Sequence, residues 1–262
     1  MVKSLRGRFF SILLRLGQNP ITWWPNLANR RRFRKERLDF ERLGGVVAKN
    51  YQILYEYDAD AGVANGHYFH QDLEVASAIF EAKPSRHIDI GSSVYGFVSH
   101  VASFRKIDVV DIRPLPDSGH QNITFVQMDF MNPTNVDSLK ADSVSCLHAI
   151  EHFGLGRYGD EIDPEGHRKG FANLMEIVNP GGVLYISFPI GISNEVHFNA
   201  HRVFHPHDIF SWSDELDLWG LEKFHYVDDA GTLHRNVDLV SNPPKTDYGC
   251  GIYTFRKPRE SK

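Results

Sequence analysis

The chain has 262 residues, of which 42% are hydrophobic and 24% charged. This composition is typical of a folded globular domain and excludes disordered, collagen-like and coiled-coil classes. Residues 1–37 hold ten Lys/Arg and one Glu, whereas the remainder holds 19 basic and 32 acidic residues, so a basic N-terminus precedes an acidic body. That body has no basic patch for nucleic acid, and the basic N-terminus favours contact with an anionic membrane surface.

The N-terminal segment is predicted to form an amphipathic helix over residues 3–16, where apolar residues recur at helical spacing among arginines. Such a helix would lie on a membrane surface, or its apolar stripe would pack on the domain. Arg15 interrupts the apolar run, no cleavage site for a signal peptide follows, and no stretch has the roughly 20 apolar residues of a transmembrane helix. We expect residues 1–65 to form this basic extension and residues 66–262 a single domain.

Helix and strand patterns alternate from residue 66 onward. Helices are predicted over 69–80, 97–104, 165–178 and 207–216, and strands over 86–90, 107–112, 122–128, 143–150, 182–190, 221–227 and 250–256. Such alternation predicts a Rossmann-like α/β fold, with a mostly parallel central sheet and helices on both faces. An antiparallel hairpin of the last two strands is expected to close the sheet edge. Two long loops, 151–165 and 191–207, are candidate covers of an active site.

Acidic residues stand at or near the ends of the first three predicted strands. Asp89 precedes a turn that contains Gly91 and Gly96, whose backbone would approach a ligand closely. A carboxylate there would repel a pyrophosphate but attract the cationic groups of S-adenosylmethionine. Asp111 follows Asp89 by 22 residues, the spacing of an acid that accepts ribose hydroxyls, and Asp129 would accept from the adenine amine.

These motifs resemble the class I methyltransferase superfamily. Over residues 66–205 the chain resembles the bacterial family "domain of unknown function 268", which is often associated with surface-polysaccharide gene clusters. The motifs that carry this likeness are GHYFHQDL (66–73), DIGSSVYGF (89–97), LHAIEHFGLGRYGDEIDPEG (147–166), NPGGVLYISFPIG (179–191) and HFNAHRVF (197–204). The resemblance implies S-adenosylmethionine as cofactor. Ser93 and Tyr95 depart from the superfamily's DxGxGxG turn, where glycines stand. The predicted cofactor contacts are Asp89, Gly91, Ser92, Ser93, Gly96, Asp111, Ile112, Met128, Asp129, Phe130 and His148.

Histidines are the candidate general bases, because methyl transfer to a hydroxyl requires loss of a proton near neutral pH. The first choice is His201, the second is His152, and Glu151 stands beside His152. His67 and His148 are further candidates. The residues predicted to contact the acceptor are Tyr68, His70, Arg157, Tyr158, His197, Asn199 and Arg202.

Metal ligation is not predicted, because no HxxxH or HExxH spacing falls on a predicted helix, although Glu151, His152, Asp160 and His201 are the alternative ligand set. The favoured interpretation is a methyltransferase that O-methylates a sugar or glycan intermediate. Two alternatives remain: a non-catalytic binding protein on the same fold, and a nicotinamide-dependent oxidoreductase, which the absence of GxGxxG disfavours.

Overall fold

The computed structural model describes residues 23–259. They fall into two compact units that divide between Val63 and Ala64. The amphipathic helix predicted over residues 3–16 lies outside the described residues. Among the helices that are described, none combines the length and the apolar character needed to cross a membrane.

The N-terminal unit is built on helix α1, Trp23–Arg42. Ion pairs four residues apart, such as Arg32–Glu36 at 2.7 Å, lie along its exposed surface. The segment that follows the helix folds back along it. The Tyr57 hydroxyl donates to Glu36 at 2.7 Å, and the Asn29 amide donates to the Leu54 carbonyl at 2.8 Å. This unit is therefore held mainly by polar contacts.

The second unit is organised around an eight-stranded sheet of order β3-β2-β1-β4-β5-β10-β8-β9. Its strands are β1 His87–Ile90, β2 Ile107–Asp111, β3 Ile123–Gln127, β4 Ala141–Leu147, β5 Val178–Ile190, β8 Gly220–Val227, β9 Leu233–His234 and β10 Gly249–Arg256. Strands β1 to β5 are parallel, and β10 lies antiparallel between β5 and β8. A separate hairpin joins β6 Glu195–His197 to β7 His201–Val203.

Helices cover both faces of the sheet, as the sequence predicts. They are α2 His67–Ala82, α3 Ser99–Ala102, which continues a π-helical turn over Val94–Val98, and α4 Gly166–Ile177. Ile79 of α2 and Val101 of α3 are buried in one hydrophobic cluster, whereas Phe171 and Leu174 of α4 belong to another. The alternating strand residues Val109 and Val110 divide between the two clusters, so each face of the sheet has its own core.

Three parts of the predicted architecture are corrected. Strand β5 begins at Val178 rather than at 182, because Val178 already pairs with Ala141 before an irregularity in the ladder. The helix expected over 207–216 is two 3₁₀ turns, since Ser213 is extended between them and its side chain accepts from Glu215 N–H. The last strand lies inside the sheet rather than at its edge. Because β10 is antiparallel, its first residues lie at the edge where the parallel strands end.

Candidate functional site

A large cavity of about 780 Å³ opens at the carboxyl ends of β1, β2 and β4. We call it the large cavity; it is lined by the turn after β1, by the segments that follow β2 and β3, and by the loop after β4. This is the edge at which ligands bind in open α/β sheets. Nine of the eleven predicted cofactor contacts line it: Gly91, Ser92, Ser93, Asp111, Ile112, Met128, Asp129, Phe130 and His148.

Asp89, by contrast, lies behind the turn and does not line the large cavity. Its carboxylate is fully buried and accepts from the hydroxyls of Ser92 and Ser145, at 2.6 and 2.5 Å, and from the Ser92 N–H at 3.1 Å. Ser145 also contacts His87, which is buried and neutral because burial lowers its pKa to about 3. The structure therefore gives Asp89 the role of fixing the turn, through its hydrogen bonds with Ser92 and Ser145.

Burial raises the pKa of Asp89 to about 7, against the hydrogen bonds from Ser145 and Ser92 that lower it. Because this folded-state pKa lies above 3.8, the ordinary pKa of an aspartate, the unfolded chain ionises first as the pH rises. The free energy of unfolding of the wild type, relative to that of Asp89→Asn, is therefore expected to fall by up to about 4 kcal/mol between pH 4 and 7 and to level off above. Urea unfolding of both proteins across this range measures the difference, and a pH-independent difference would contradict the assignment.

The turn after β1 accommodates side chains where related turns have glycine. Ser93 adopts extended backbone, with φ −66° and ψ 121°, and its hydroxyl oxygen accepts from the Gly96 N–H at 3.3 Å. Tyr95 lies in the π-helical turn and is 98% exposed at the rim of the large cavity. Gly96 does not line the cavity, and its role is packing, because a side chain there would collide with the Asp72 carboxylate of α2.

Asp111, the acid expected to bind a ribose, is paired with Arg113. Its carboxylate accepts from the Arg113 guanidinium at 3.0 and 2.6 Å and from the Arg113 N–H at 2.8 Å. The same guanidinium lies over the Tyr158 ring, 4.5 Å from its centre. Arg113 therefore forms part of the cavity wall, and a ligand that binds both oxygens of Asp111 must displace its side chain.

A smaller cavity of about 310 Å³ adjoins the large one. We call it the histidine cavity, because its lining is almost entirely polar: His67, Tyr68, His148, Glu151, His152, Arg157, Tyr158, His201 and Tyr248. Four of these residues line both cavities, namely Tyr68, His148, His152 and Tyr158. The structure thus brings together the predicted catalytic residues His201, His152 and Glu151 with three of the predicted acceptor contacts.

Two side chains of the segment after β4, those of His148 and Glu151, form a buried pair. His148 Nδ1 lies 2.8 Å from the Glu151 carboxylate, and its Nε2 is buried without a hydrogen-bond partner among the described residues. Burial alone would lower the pKa of His148, but the Cys250 sulfur and the Glu151 carboxylate raise it to about 10. Glu151 therefore pairs with His148 through Oε1, whereas its Oε2 is buried without a hydrogen-bond partner among the described residues.

His152 is placed to accept a proton at the junction of the two cavities. Its Nδ1 lies 2.7 Å from the Ala200 carbonyl, which selects the tautomer with the proton on Nδ1 and leaves Nε2 as an acceptor. Burial lowers its pKa, so the ring is neutral near pH 7. His201 lines only the histidine cavity, and its Nε2 lies 3.2 Å from His197 Nδ1. The geometry thus favours His152 over His201, reversing the order expected from the sequence.

The structure corrects the prediction for Arg202, which is buried and does not line either cavity. Its guanidinium donates to four backbone carbonyls of the loop after β4, those of Glu151, Phe153, Asp163 and Pro164, at 2.6–3.3 Å. Arg202 therefore clamps this loop against β7. The predicted contacts His70, His197 and Asn199 also lie outside both cavities.

Removal of the Arg202 clamp is expected to destabilise the fold. Arg202→Met removes a buried donor from four backbone carbonyls, of which that of Glu151 is buried, and this should lower the free energy of unfolding by about 2–4 kcal/mol. Arg157→Met is the matched control, because the exposed Arg157 makes one hydrogen bond, to Ala200, and its loss should cost less than about 1 kcal/mol. Urea unfolding measures both, and equal losses would contradict the clamp.

The sequence patterns do not single out three residues that the structure brings to this region. Arg113 lines the large cavity, Tyr248 lines the histidine cavity, and Cys250 lies beside His67 and His148. Tyr248 stands just before β10, and Cys250 is the second residue of that strand. An antiparallel strand begins at the edge where its parallel neighbours end, so the start of the last strand is the signal that points to both residues. Arg113 carries no comparable signal.

A family model described as "Caenorhabditis protein of unknown function, DUF268" matches residues 113–209. This match agrees with the resemblance to that family over part of its length, although its description names neither bacteria nor polysaccharides. No curated protein matches the sequence.

Several solved methyltransferase structures are similar in fold. The glycopeptide N-methyltransferase MtfA is 10% identical, with 74% of this chain and 97% of that chain covered and a TM-score of 0.52. The N-methyltransferase NodS from Bradyrhizobium japonicum WM9, in complex with S-adenosyl-L-homocysteine, is 12% identical, with 81% and 94% covered and a TM-score of 0.49. An S-adenosylmethionine-dependent methyltransferase from Clostridium acetobutylicum is 11% identical, with 78% and 95% covered and a TM-score of 0.46. With the observed strand order, the similarity to MtfA shows that the chain has a Rossmann-like fold, which it shares with that methyltransferase.

Proposed function

We propose that this chain transfers a methyl group from S-adenosylmethionine to a hydroxyl of a sugar or glycan intermediate. The large cavity would hold the cofactor and the histidine cavity the acceptor. The observation that carries this proposal is that the two cavities adjoin at Tyr68, His148, His152 and Tyr158, which line both of them. Two ligands, one in each cavity, would have their reacting atoms close together at this junction, which is the main requirement of methyl transfer.

The charges around the large cavity suit this cofactor. Asp111 and Asp129 line it, and the carboxylate of Asp89 lies just behind the turn, so a cationic ligand is favoured over a pyrophosphate. Met128 and Phe130 supply apolar surface for an adenine ring. Bound S-adenosylmethionine supplies an activated methyl group on its sulfonium. Asp111 would accept from the ribose hydroxyls once Arg113 moves aside, and this movement is open to a side chain that is 47% exposed.

The histidine cavity suits a hydroxylated acceptor because its lining offers hydrogen-bond donors and acceptors on several sides. His152 would accept the hydroxyl proton at Nε2 as the oxygen–methyl bond forms and the sulfur–methyl bond breaks. Arg157 and the tyrosines of the cavity would orient the acceptor. The choice of a sugar or glycan rests in addition on the resemblance to polysaccharide-cluster proteins.

Isothermal titration with S-adenosylmethionine tests the cofactor assignment. We expect saturable binding to the wild type and binding at least about tenfold weaker for Asp111→Ala, which removes an acceptor worth at least about 1.5 kcal/mol. Absence of binding at millimolar cofactor would refute the proposal. The matched control is Asp137→Ala, because Asp137 is 88% exposed and outside both cavities.

A panel of acceptors then tests turnover. Transfer of labelled methyl from the cofactor to a sugar hydroxyl is the expected result. Cofactor binding without transfer to any acceptor would favour the non-catalytic binding protein instead. Binding of a nicotinamide cofactor, detected as a change in its fluorescence, would favour the oxidoreductase.

We also propose peripheral contact between residues 1–37 and an anionic membrane. The described part of this segment supports it, because Arg30, Arg31 and Arg34 are exposed on α1 and each basic residue near such a surface contributes about 1 kcal/mol. Flotation with anionic vesicles should recover the full chain but not a chain that lacks residues 1–37. Equal recovery of both would contradict the proposal.

A further inference from the structure

Three side chains that can ligate a metal ion lie close together beside the histidine cavity, which two of them, His67 and His148, line. His67 begins α2, His148 follows β4, and Cys250 lies at the start of β10. One ligand atom from each lies within 4.8 Å of the other two. No sequence spacing connects these residues. The topology brings them together because the ends of the parallel strands and the start of the antiparallel strand meet at one edge of the sheet.

His148 is oriented as a metal ligand. Its Nδ1 donates to the Glu151 carboxylate at 2.8 Å, and Nε2, on the opposite side of the ring, is buried without a partner among the described residues. A histidine that binds a metal through one nitrogen commonly donates its other N–H to a carboxylate, which fixes the ring and strengthens the ligand. The pair of His148 and Glu151 has this arrangement.

Cys250 supplies a buried sulfur that makes only weak contacts. Its Sγ lies 3.6 Å from the Gln71 side-chain oxygen and 3.7 Å from the Gly251 carbonyl. A thiolate with two imidazoles is a donor set for zinc and similar transition metals, whereas magnesium and calcium require oxygen ligands. The chemistry of the three side chains therefore selects a thiophilic divalent cation.

We propose that His67, His148 and Cys250 bind a divalent cation of the zinc type. Bond lengths of about 2.0–2.3 Å around a tetrahedral ion place its ligand atoms about 3.3–3.6 Å apart, whereas the three atoms here lie within 4.8 Å of one another, so the site must contract on binding. The His67 ring, which is stacked on that of His148 with 12° between the planes, must also turn for its nitrogen to face the ion. Binding releases the protons of His148 Nε2 and the Cys250 thiol. Since His67 and His148 line the histidine cavity, an ion held by these residues would be reached from that cavity.

Cobalt substitution of the full chain tests the site without a methyl-transfer assay. Titration with Co²⁺ should give one ion per chain and a thiolate-to-cobalt charge-transfer band in the near ultraviolet. Cys250→Ser should lose the band. Cys146→Ser should keep it, because Cys146 is the only other cysteine and is buried in the core of the sheet. This pair makes a matched control for the source of the sulfur ligand.

Two further variants separate ligation from folding. His67→Ala should weaken Co²⁺ binding at least tenfold, and Glu151→Gln should weaken it by about 10–100-fold through loss of the carboxylate that orients His148. Circular dichroism should show each variant folded. Absence of the band in the wild type would overturn the proposal, as would a band retained in Cys250→Ser. Neither result depends on S-adenosylmethionine binding, so failure of this site is distinguishable from failure of the proposed function.

Discussion

Replacement of His152 by glutamine is expected to lower kcat for methyl transfer by about 10²–10⁴-fold, the range that a positioned general base contributes. His152 stands at the junction of the two cavities, with Nε2 free as an acceptor because Nδ1 is engaged by the Ala200 carbonyl. Glutamine retains a side-chain N–H donor for that carbonyl but cannot take up a proton near neutral pH. Cofactor binding, measured by titration, should be little changed.

The pH profile distinguishes a base from a merely structural residue. Burial lowers the pKa of His152, so the wild-type kcat/KM, which reports the free enzyme, should rise with pH along a limb whose midpoint lies below 6.5, the ordinary pKa of histidine. His152→Gln should lose this limb. A variant whose kcat falls while the limb remains would contradict the assignment of His152 as the base.

His201→Gln and His70→Gln are the comparison variants. His201 lines only the histidine cavity, so its replacement should affect the KM of the acceptor more than kcat. His70 lies outside both cavities, so its replacement should change neither kcat nor KM. Loss of kcat in His201→Gln larger than that in His152→Gln would restore the order that the sequence suggested.

The lining of the large cavity is largely predictable because its residues follow strands in sequence. Asp111 ends β2 and Asp129 comes shortly after β3, so recognition of the strands was enough to place both at one edge of the sheet. The sequence also identifies the histidine-containing loop 191–207 as a candidate cover of the active site. The sequence does not specify the direction of each side chain: Arg202 is predicted to contact the acceptor, but its guanidinium points into the loop after β4.

The remaining errors have a common origin in long-range packing. Asp89 was expected to face the ligand, but serines from the turn and from β4 bury it. Cys250 lies 102 residues beyond His148, and only the placement of β10 beside β5 brings it to the site. Contacts of this kind follow from strand order, which no local pattern specifies.

Gly91→Ala is expected to weaken S-adenosylmethionine binding at least tenfold and to destabilise the fold. Gly91 has φ +72°, where an alanine costs about 1–2 kcal/mol. An added Cβ would also lie 2.9 Å from the Ala149 Cβ, so the turn or the segment after β4 must shift. Because Gly91 and Ala149 both line the large cavity, that shift changes the cavity itself.

Two controls separate the backbone strain of Gly91→Ala from the collision. Gly119→Ala introduces a similar strain at φ +63°, but its Cβ would meet nothing within 4 Å, so stability should fall by about 1–2 kcal/mol with unchanged cofactor affinity. The double variant Gly91→Ala/Ala149→Gly removes the collision and should recover part of the affinity while keeping the strain. Titration calorimetry and urea unfolding measure the two effects separately. If the double variant bound no better than Gly91→Ala, the contact between the turn and Ala149 would not be what shapes the cavity.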